Sequence, residues 1–322
     1  MRVVVATHGH CFDGLASATW FTHLLTEVEG PGHEFVYHNC GYGIGQQRPS
    51  EALLDGDRNA LLDFRFSPVG SLTWFFDHHR TGFASEADQA LCAERKANGC
   101  RYFFAPDYPS CTKLLADTAR EQFGITAPEL DELVRRATIV DSARFDSPEH
   151  AVDRTDPVMR LVTVVEHSGD DGFIRRLVPQ LLRRPVLEVA QLPEVERKYA
   201  PLGARQERFI RRVQQTAELR GRVVFVDLTA GAVELLGKFV TYFLYPETTY
   251  SVVVARLGYG AKISVGYNPW CGKPLDTDIS AICSRHGGGG HPVVGGISFA
   301  SSEVEHARAV ASQIADELAD GR

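Results

Sequence analysis

No apolar stretch in this chain approaches the length of a membrane span, so the sequence predicts a protein without a membrane partner. The opening segment Met1-Arg2-Val3-Val4-Val5-Ala6-Thr7 turns polar far too soon for a signal peptide. Cysteine occurs seven times, an odd number with no repeated spacing, which does not describe a disulfide framework and makes a reducing cytoplasm the expected home. Positive charge is in deficit. A formal net charge of -7 argues against a broad basic face that coats long duplex nucleic acid. It leaves room for a short, highly charged substrate held by metal ions and a few arginines.

What the chain does have is enough length for a large core: 322 residues predict two domains rather than one. Hydrophobic residues at 44% and charged residues at 23% are globular proportions, which removes disordered and fibrous classes. Short apolar runs at Arg2 to Thr7, Glu34 to His38, Ala60 to Leu62 and Leu72 to Phe76 read as strands. Helical patterns fall at Leu15 to Leu25, Thr112 to Phe123, Glu129 to Val140 and Asp156 to His167. This alternation predicts an α/β fold with a mostly parallel sheet and helices on both faces over residues 1–182. Residues 183–220, rich in Arg and Glu, predict a solvent-exposed helical linker bounded by Pro185, Pro193 and Pro201. Strands then resume at Val223 to Val226, Tyr250 to Arg256, Lys262 to Tyr267 and Gly296 to Phe299. With a closing helix over Ser302 to Leu318, they predict a smaller α/β domain over 221–322.

Asp77-His78-His79 follows directly on the apolar run Leu72-Thr73-Trp74-Phe75-Phe76, at the carboxyl end of an expected strand, where open α/β sheets place their ligands. The first strand runs into His8-Gly9-His10-Cys11-Phe12-Asp13-Gly14, the third into Asp63, and a helical segment ends in Ile139-Val140-Asp141. If the sheet is parallel, these positions share one edge. Several carboxylates gathered there repel one another unless a cation is present. Mixed carboxylate and imidazole donors suit Mn, Fe, Co or Zn better than Ca or Mg, and two ions sharing one bridging acid would make the best use of this many ligands. Taken alone, Asp63 also suits a helix or turn cap, His10 a cleft lining and Cys11 a small buried apolar group. His23, His33, His38 and His150 have no motif around them and read as structural or exposed.

Near the carboxyl end, Ser284-Arg285-His286-Gly287-Gly288-Gly289-Gly290-His291 precedes the expected strand. Glycines let backbone N–H groups approach an anion closely, and Arg285, His286 and His291 add charge and directional donors, which fits a phosphate or sugar clamp.

In combination the chain resembles the DHH phosphoesterase superfamily, in the subfamily with a DHHA1 carboxyl-terminal domain. Asp77-His78-His79 matches the name-giving motif, Leu62-Asp63-Phe64 the second motif, Ile139-Val140-Asp141 the fourth, and Gly288-Gly289-Gly290-His291 the GGGH signature. The resemblance implies a metal-binding catalytic domain over 1–182 and a substrate-binding DHHA1 domain over 221–322. It implies that Asp63 bridges two metals, that Asp13, His78 and Asp141 complete one site, that His79 faces the substrate phosphate and that Asp77 orients a ligand. The first motif departs from the common D-x-D form. It is closer to a variant reading H-x-x-C-P-D-G, with Phe12 in place of proline, so the second metal would draw on His8 or His10, Cys11 and the shared Asp63.

The activity so implied is hydrolysis of a phosphate ester in a small nucleotide or short oligonucleotide, as by an oligoribonuclease, through a metal-bound hydroxide and most readily with two Mn ions. Arg285, His286, Gly288, Gly289, Gly290 and His291 would grip the substrate, and the second domain leaves room for a homodimer. Competing enzymes of the same chemistry are a cyclic-dinucleotide phosphodiesterase, a phosphatase for 3'-phosphoadenosine 5'-phosphate, a single-strand exonuclease and a polyphosphatase. The rival outside catalysis is a nucleotide-binding regulatory protein that has lost its second metal.

Overall fold

A computed structural model describes residues 1–42, 46–233, 237, 239–258 and 260–320. The chain divides into two compact units, one of residues Met1–Arg144 and Arg154–Ala200, the other of Phe145–Asp153 and Pro201–Arg322.

The first unit carries strands β1 (Arg2–His8), β2 (Glu34–Cys40), β3 (Arg58–Leu62), β4 (Trp74–Asp77) and β5 (Arg101–Phe104). Its helices are α1 (Phe12–Glu29), α2 (Glu86–Ala97), α3 (Cys111–Phe123), α4 (Asp131–Asp141), α6 (Pro157–Ser168), α7 (Asp171–Leu181) and α8 (Val186–Ala190); the short α5 (Pro148–Val152) between α4 and α6 belongs to the second unit. The sheet order is β2-β1-β3-β4-β5, and every neighbouring pair is parallel. Strands buried on both faces read as continuous apolar runs, which is why Val3-Val4-Val5-Ala6 and Trp74-Phe75-Phe76 were legible without alternation. α1 is buried almost all round from Phe12 to Leu25, as an interior helix must be. The opposite face is covered differently from the expectation. Leu91 and Cys92 of α2 share it with Leu54, Phe64, Phe66, Val69 and Leu72 from irregular chain, so helices alone do not cover it. β5 was not foreseen because Arg101-Tyr102-Phe103-Phe104 is only four residues long and follows a helix end.

The linker expectation needs correction. α9 (Pro193–Thr216) runs through Pro201 instead of stopping at it, and Ala217–Arg220 is not helix but strand β6. Its second half is also far from solvated all round: Leu202, Gln206, Phe209 and Val213 are buried. Their spacing of four, three and four is a helical stripe hidden among arginines and glutamates. Phe209 and Val213 pack with Val224, Val226 and Leu228, and Gln206 donates to the Val152 carbonyl at 3.2 Å.

The second unit continues with β7 (Val223–Leu228), α10 (Val240–Leu244), β8 (Tyr250–Leu257), β9 (Gly260–Tyr267), α11 (Ile279–Arg285), β10 (Gly289–His291), β11 (Val294–Phe299) and α12 (Val304–Asp320). Its sheet, ordered β10-β11-β9-β8-β7-β6, is mixed: β7 and β8 are parallel and the other pairs antiparallel. Ile279, Ile282, Ala311 and Ile314 of α11 and α12 seal one face. Among the described residues no helix is long and apolar enough to cross a membrane.

Phe75 is fully buried in the first unit's core, where losing an aromatic ring costs about 3–5 kcal/mol. Phe75→Ala should therefore lower the urea midpoint by a corresponding amount; an unchanged midpoint would contradict this placement.

Candidate metal centre

Parallel pairing sets the site. Thr7 lies opposite Leu62 and Leu62 opposite Phe76, so the residues that follow β1, β3 and β4 emerge together at one sheet edge. Asp63 leaves β3 with φ 55°, a left-handed backbone that Asp tolerates better than most side chains. Its N–H donates to the Phe76 carbonyl at 2.9 Å, which fixes it beside the Asp77-His78-His79 segment. α1 starts just after β1, and a side chain at Gly14 would put its Cβ 2.5 Å from the His8 carbonyl oxygen, so glycine permits that tight entry.

Asp13, in the first turn of α1, is buried with both carboxylate oxygens occupied. They accept from the backbone N–H groups of Cys111 at 2.6 Å and Thr112 at 3.1 Å, the first residues of α3. A helix N-terminus is the favourable place for an anion, so the protein itself compensates this charge. Asp63 has no such help. It is 1% exposed and neither carboxylate oxygen has a hydrogen-bond partner. Burial first, and then the charge of Asp13, push its carboxyl up to about 7.

His78 points Nε2 at the acids, 3.2 Å from Asp141 Oδ2, 3.5 Å from Asp63 Oδ1 and 3.9 Å from Asp13 Oδ2. Its Nδ1 donates to the Tyr108 carbonyl at 3.0 Å. Burial alone would depress this imidazole, but the nearby Asp63 carboxylate and the charges of Asp13 and Asp141 outweigh it and lift it to about 9. His79 is oriented by Asp77, whose Oδ1 lies 2.7 Å from His79 Nδ1, and that contact raises its pKa. His8 is driven the other way, lowered by burial and by His79, which favours a neutral ring. Around Cys11, desolvation and then Asp63, Asp13 and Asp141 push the thiol well up.

Donor atoms within 4.8 Å of one another form three groups: His8 with Cys11 and Asp63, Asp63 with His78 and His79, and Asp13 with His78 and Asp141. All of the expected ligands except His10 therefore come together. His10 is exposed with φ 57° and belongs to none of the three groups. The residues fit divalent metal ions on the structure's own terms: Asp63 Oδ1, Asp63 Oδ2 and His78 Nε2 are buried without a hydrogen-bond partner, and Asp63 lies beside the further acids Asp13 and Asp141. Sequence reasoning missed the Tyr108 carbonyl and the Cys111 and Thr112 N–H groups, because backbone donors and acceptors carry no residue signature.

In the second unit, Gly289–His291 is an exposed edge strand paired with β11. Here glycine is demanded by packing: a Cβ on Gly290 would sit 2.2 Å from the Val294 carbonyl oxygen, and one on Gly295 2.5 Å from Cys283 Sγ. His291 is exposed, His286 is half-buried, and Arg285 is turned to an ion pair with Glu317 on α12 at 2.5 Å.

No protein-family model and no curated protein sequence matches the chain. Solved structures do. A pGpG-specific phosphodiesterase, PggH from Vibrio cholerae, matches over 97% of this chain and 98% of its own, with 20% identity and a TM-score of 0.67. A DHH-domain protein titled as a member of the s1p family of ribosomal proteins matches over 98% and 87%, with 13% identity and a TM-score of 0.58. The exonuclease RecJ bound to manganese matches over 97% and 90%, with 14% identity and a TM-score of 0.53. The chain has the fold of the DHH phosphoesterases. Within that DHH fold, its acid and histidine cluster stands where the parallel sheet gathers strand ends.

A bound cation should stabilise this centre through Asp63. Manganese should raise the melting temperature of the wild type above its value in chelator. Asp63→Asn, which keeps the left-handed backbone and removes the unpaired charge, should melt in chelator no lower than wild type yet lose most of the manganese increment. An equal increment in both proteins would dismiss Asp63 as a ligand.

Proposed function

We propose that the protein is a metal-dependent phosphoesterase acting on small nucleotides or short oligonucleotides, with manganese as its preferred ion. One observation carries the reading: an uncompensated buried carboxylate, Asp63, stands among His8, His78, His79 and further acids. The names of similarly folded proteins, a pGpG-specific phosphodiesterase and an exonuclease, support a phosphodiester substrate. Asp13, Asp63, His78 and Asp141 would hold one ion, and His8, Cys11 and Asp63 a second. Such ions, when bound, neutralise phosphoryl charge and acidify water.

The chain's own residues supply position and protons. Asp63 would accept a hydrogen bond from the attacking water and orient it toward phosphorus. Asp77 holds His79 through Nδ1, so a protonated His79 presents Nε2–H to a phosphoryl oxygen, where charge builds up in the transition state. Tyr108 fixes the His78 ring by its carbonyl, a restraint typical of metal-binding histidines. Exposed Gly289, Gly290 and His291 would contribute to substrate binding.

The test is a manganese-supplemented assay against dinucleotides, cyclic dinucleotides, 3'-phosphoadenosine 5'-phosphate and short oligomers. His78→Ala should lower kcat/KM at least about 100-fold, the scale on which loss of one electrostatic stabiliser acts. His291→Ala should act mainly through a raised KM. Near-normal turnover by His78→Ala, with its melting temperature retained, would remove the reading.

A further inference from the structure

The ligand groups leave unused a cluster on the same unit. Tyr42 lies flat against Phe64, the residue after Asp63, with ring centroids 4.4 Å apart and planes 8° apart. The His8 ring neighbours both, at 6.1 Å from Tyr42 and 5.9 Å from Phe64. Two guanidinium groups, those of Arg48 and Arg65, each lie 5.3 Å from the Tyr42 ring centroid. The Arg65 N–H donates to Tyr42 Oη at 3.1 Å, and Arg65 Nε donates to the Thr81 carbonyl at 2.9 Å. Arg48 donates to the carbonyl of Tyr42.

Carbonyls and an aromatic ring orient a guanidinium without cancelling its charge. Among the described residues neither Arg48 nor Arg65 has a carboxylate partner, although Arg176, Arg222 and Arg285 in the same acidic chain each have one. Leaving two positive charges unpaired around one ring, in a protein of net charge -7, fits an anion that arrives with a ligand. Tyr42 is 45% exposed, so the ring that organises them is open to that ligand. Because His8 belongs to a donor group of the metal centre, an anion on the arginines would be a near neighbour of one at the carboxylates.

We propose that Tyr42, Arg48 and Arg65 form a subsite for a second phosphate of the substrate, the one next to the phosphate that is hydrolysed. The proposal rests on the phosphoesterase reading above and narrows it to substrates carrying at least two phosphates. The two guanidiniums bind that phosphate by charge-assisted hydrogen bonds, and Tyr42 keeps them in place.

The experiment titrates a phosphorothioate-linked guanosine dinucleotide, with and without a 5'-phosphate, into manganese-loaded full-length protein. Wild type should bind the 5'-phosphorylated form at least tenfold more tightly. Arg48→Ala, and the Arg48→Ala/Arg65→Ala double variant, should lose most of that preference, whereas Arg176→Ala should retain it. Because Arg65 also ties down the Thr81 carbonyl, melting curves accompany each variant, and the exposed Arg48→Ala alone keeps the test open if the double variant unfolds. Equal weakening toward both dinucleotides, or an intact preference in Arg48→Ala, overturns the subsite. Hydrolysis of the natural phosphodiester by wild type is followed separately, so absence of turnover counts against the enzyme reading and leaves the binding comparison to judge the subsite.

Discussion

Everything at this centre turns on one carboxylate that the protein buries without compensating. Asp13 and Asp63 are equally hidden, but Asp13 meets two backbone N–H groups at a helix start, and Asp63 meets none. A buried, unpaired charge is so costly that it persists only with a proton or a cation. Proximity to Asp13 makes the demand greater, and the histidine nitrogen 3.5 Å away offers a partial answer. The arrangement gathers donor groups that could hold a cation, with Asp63 shared between two of them.

The sheet supplies the convergence. Parallel strands deliver their carboxyl ends to a single edge, and register places Leu62 against both Thr7 and Phe76, one residue before His8, Asp63 and Asp77. A slip of one residue would turn Asp63 toward the opposite face. The left-handed turn at Asp63 and the tight entry to α1 at Gly14 are local departures from regular backbone, both beside the acid and histidine cluster.

This logic explains what could be read from residues alone. Long apolar runs revealed β1 and β4, and acids or histidines at their ends revealed the cluster, since side-chain identity and strand position are both written in the sequence. Hidden features were of three physical kinds. The short β5 carries too few residues to show a period. The buried stripe of Leu202, Gln206, Phe209 and Val213 is masked by the charged residues between, so a docked helix resembled a solvated one. Backbone partners such as the Tyr108 carbonyl and the α3 N–H groups have no residue code at all. His10 illustrates the converse failure: its type suited a ligand, but it is exposed and belongs to none of the donor groups.

Adjacent histidines with different partners acquire different chemistry. His78 faces a carbonyl through Nδ1, and a carbonyl only accepts, so the proton stays on Nδ1 and Nε2 is the atom left to face the acids. His79 faces a carboxylate through Nδ1, which favours the doubly protonated ring and raises its pKa. The same residue type thus has its positive charge favoured by the acid cluster in one position and by Asp77 in the next. What separates them is two residues outside the pair: Asp77, at the end of the strand, and Tyr108, thirty positions on, whose contribution is backbone. Exchange of Asp77 for an amide would take away the main cause that raises the His79 pKa, because an amide can accept from Nδ1 yet adds no charge to hold the second proton.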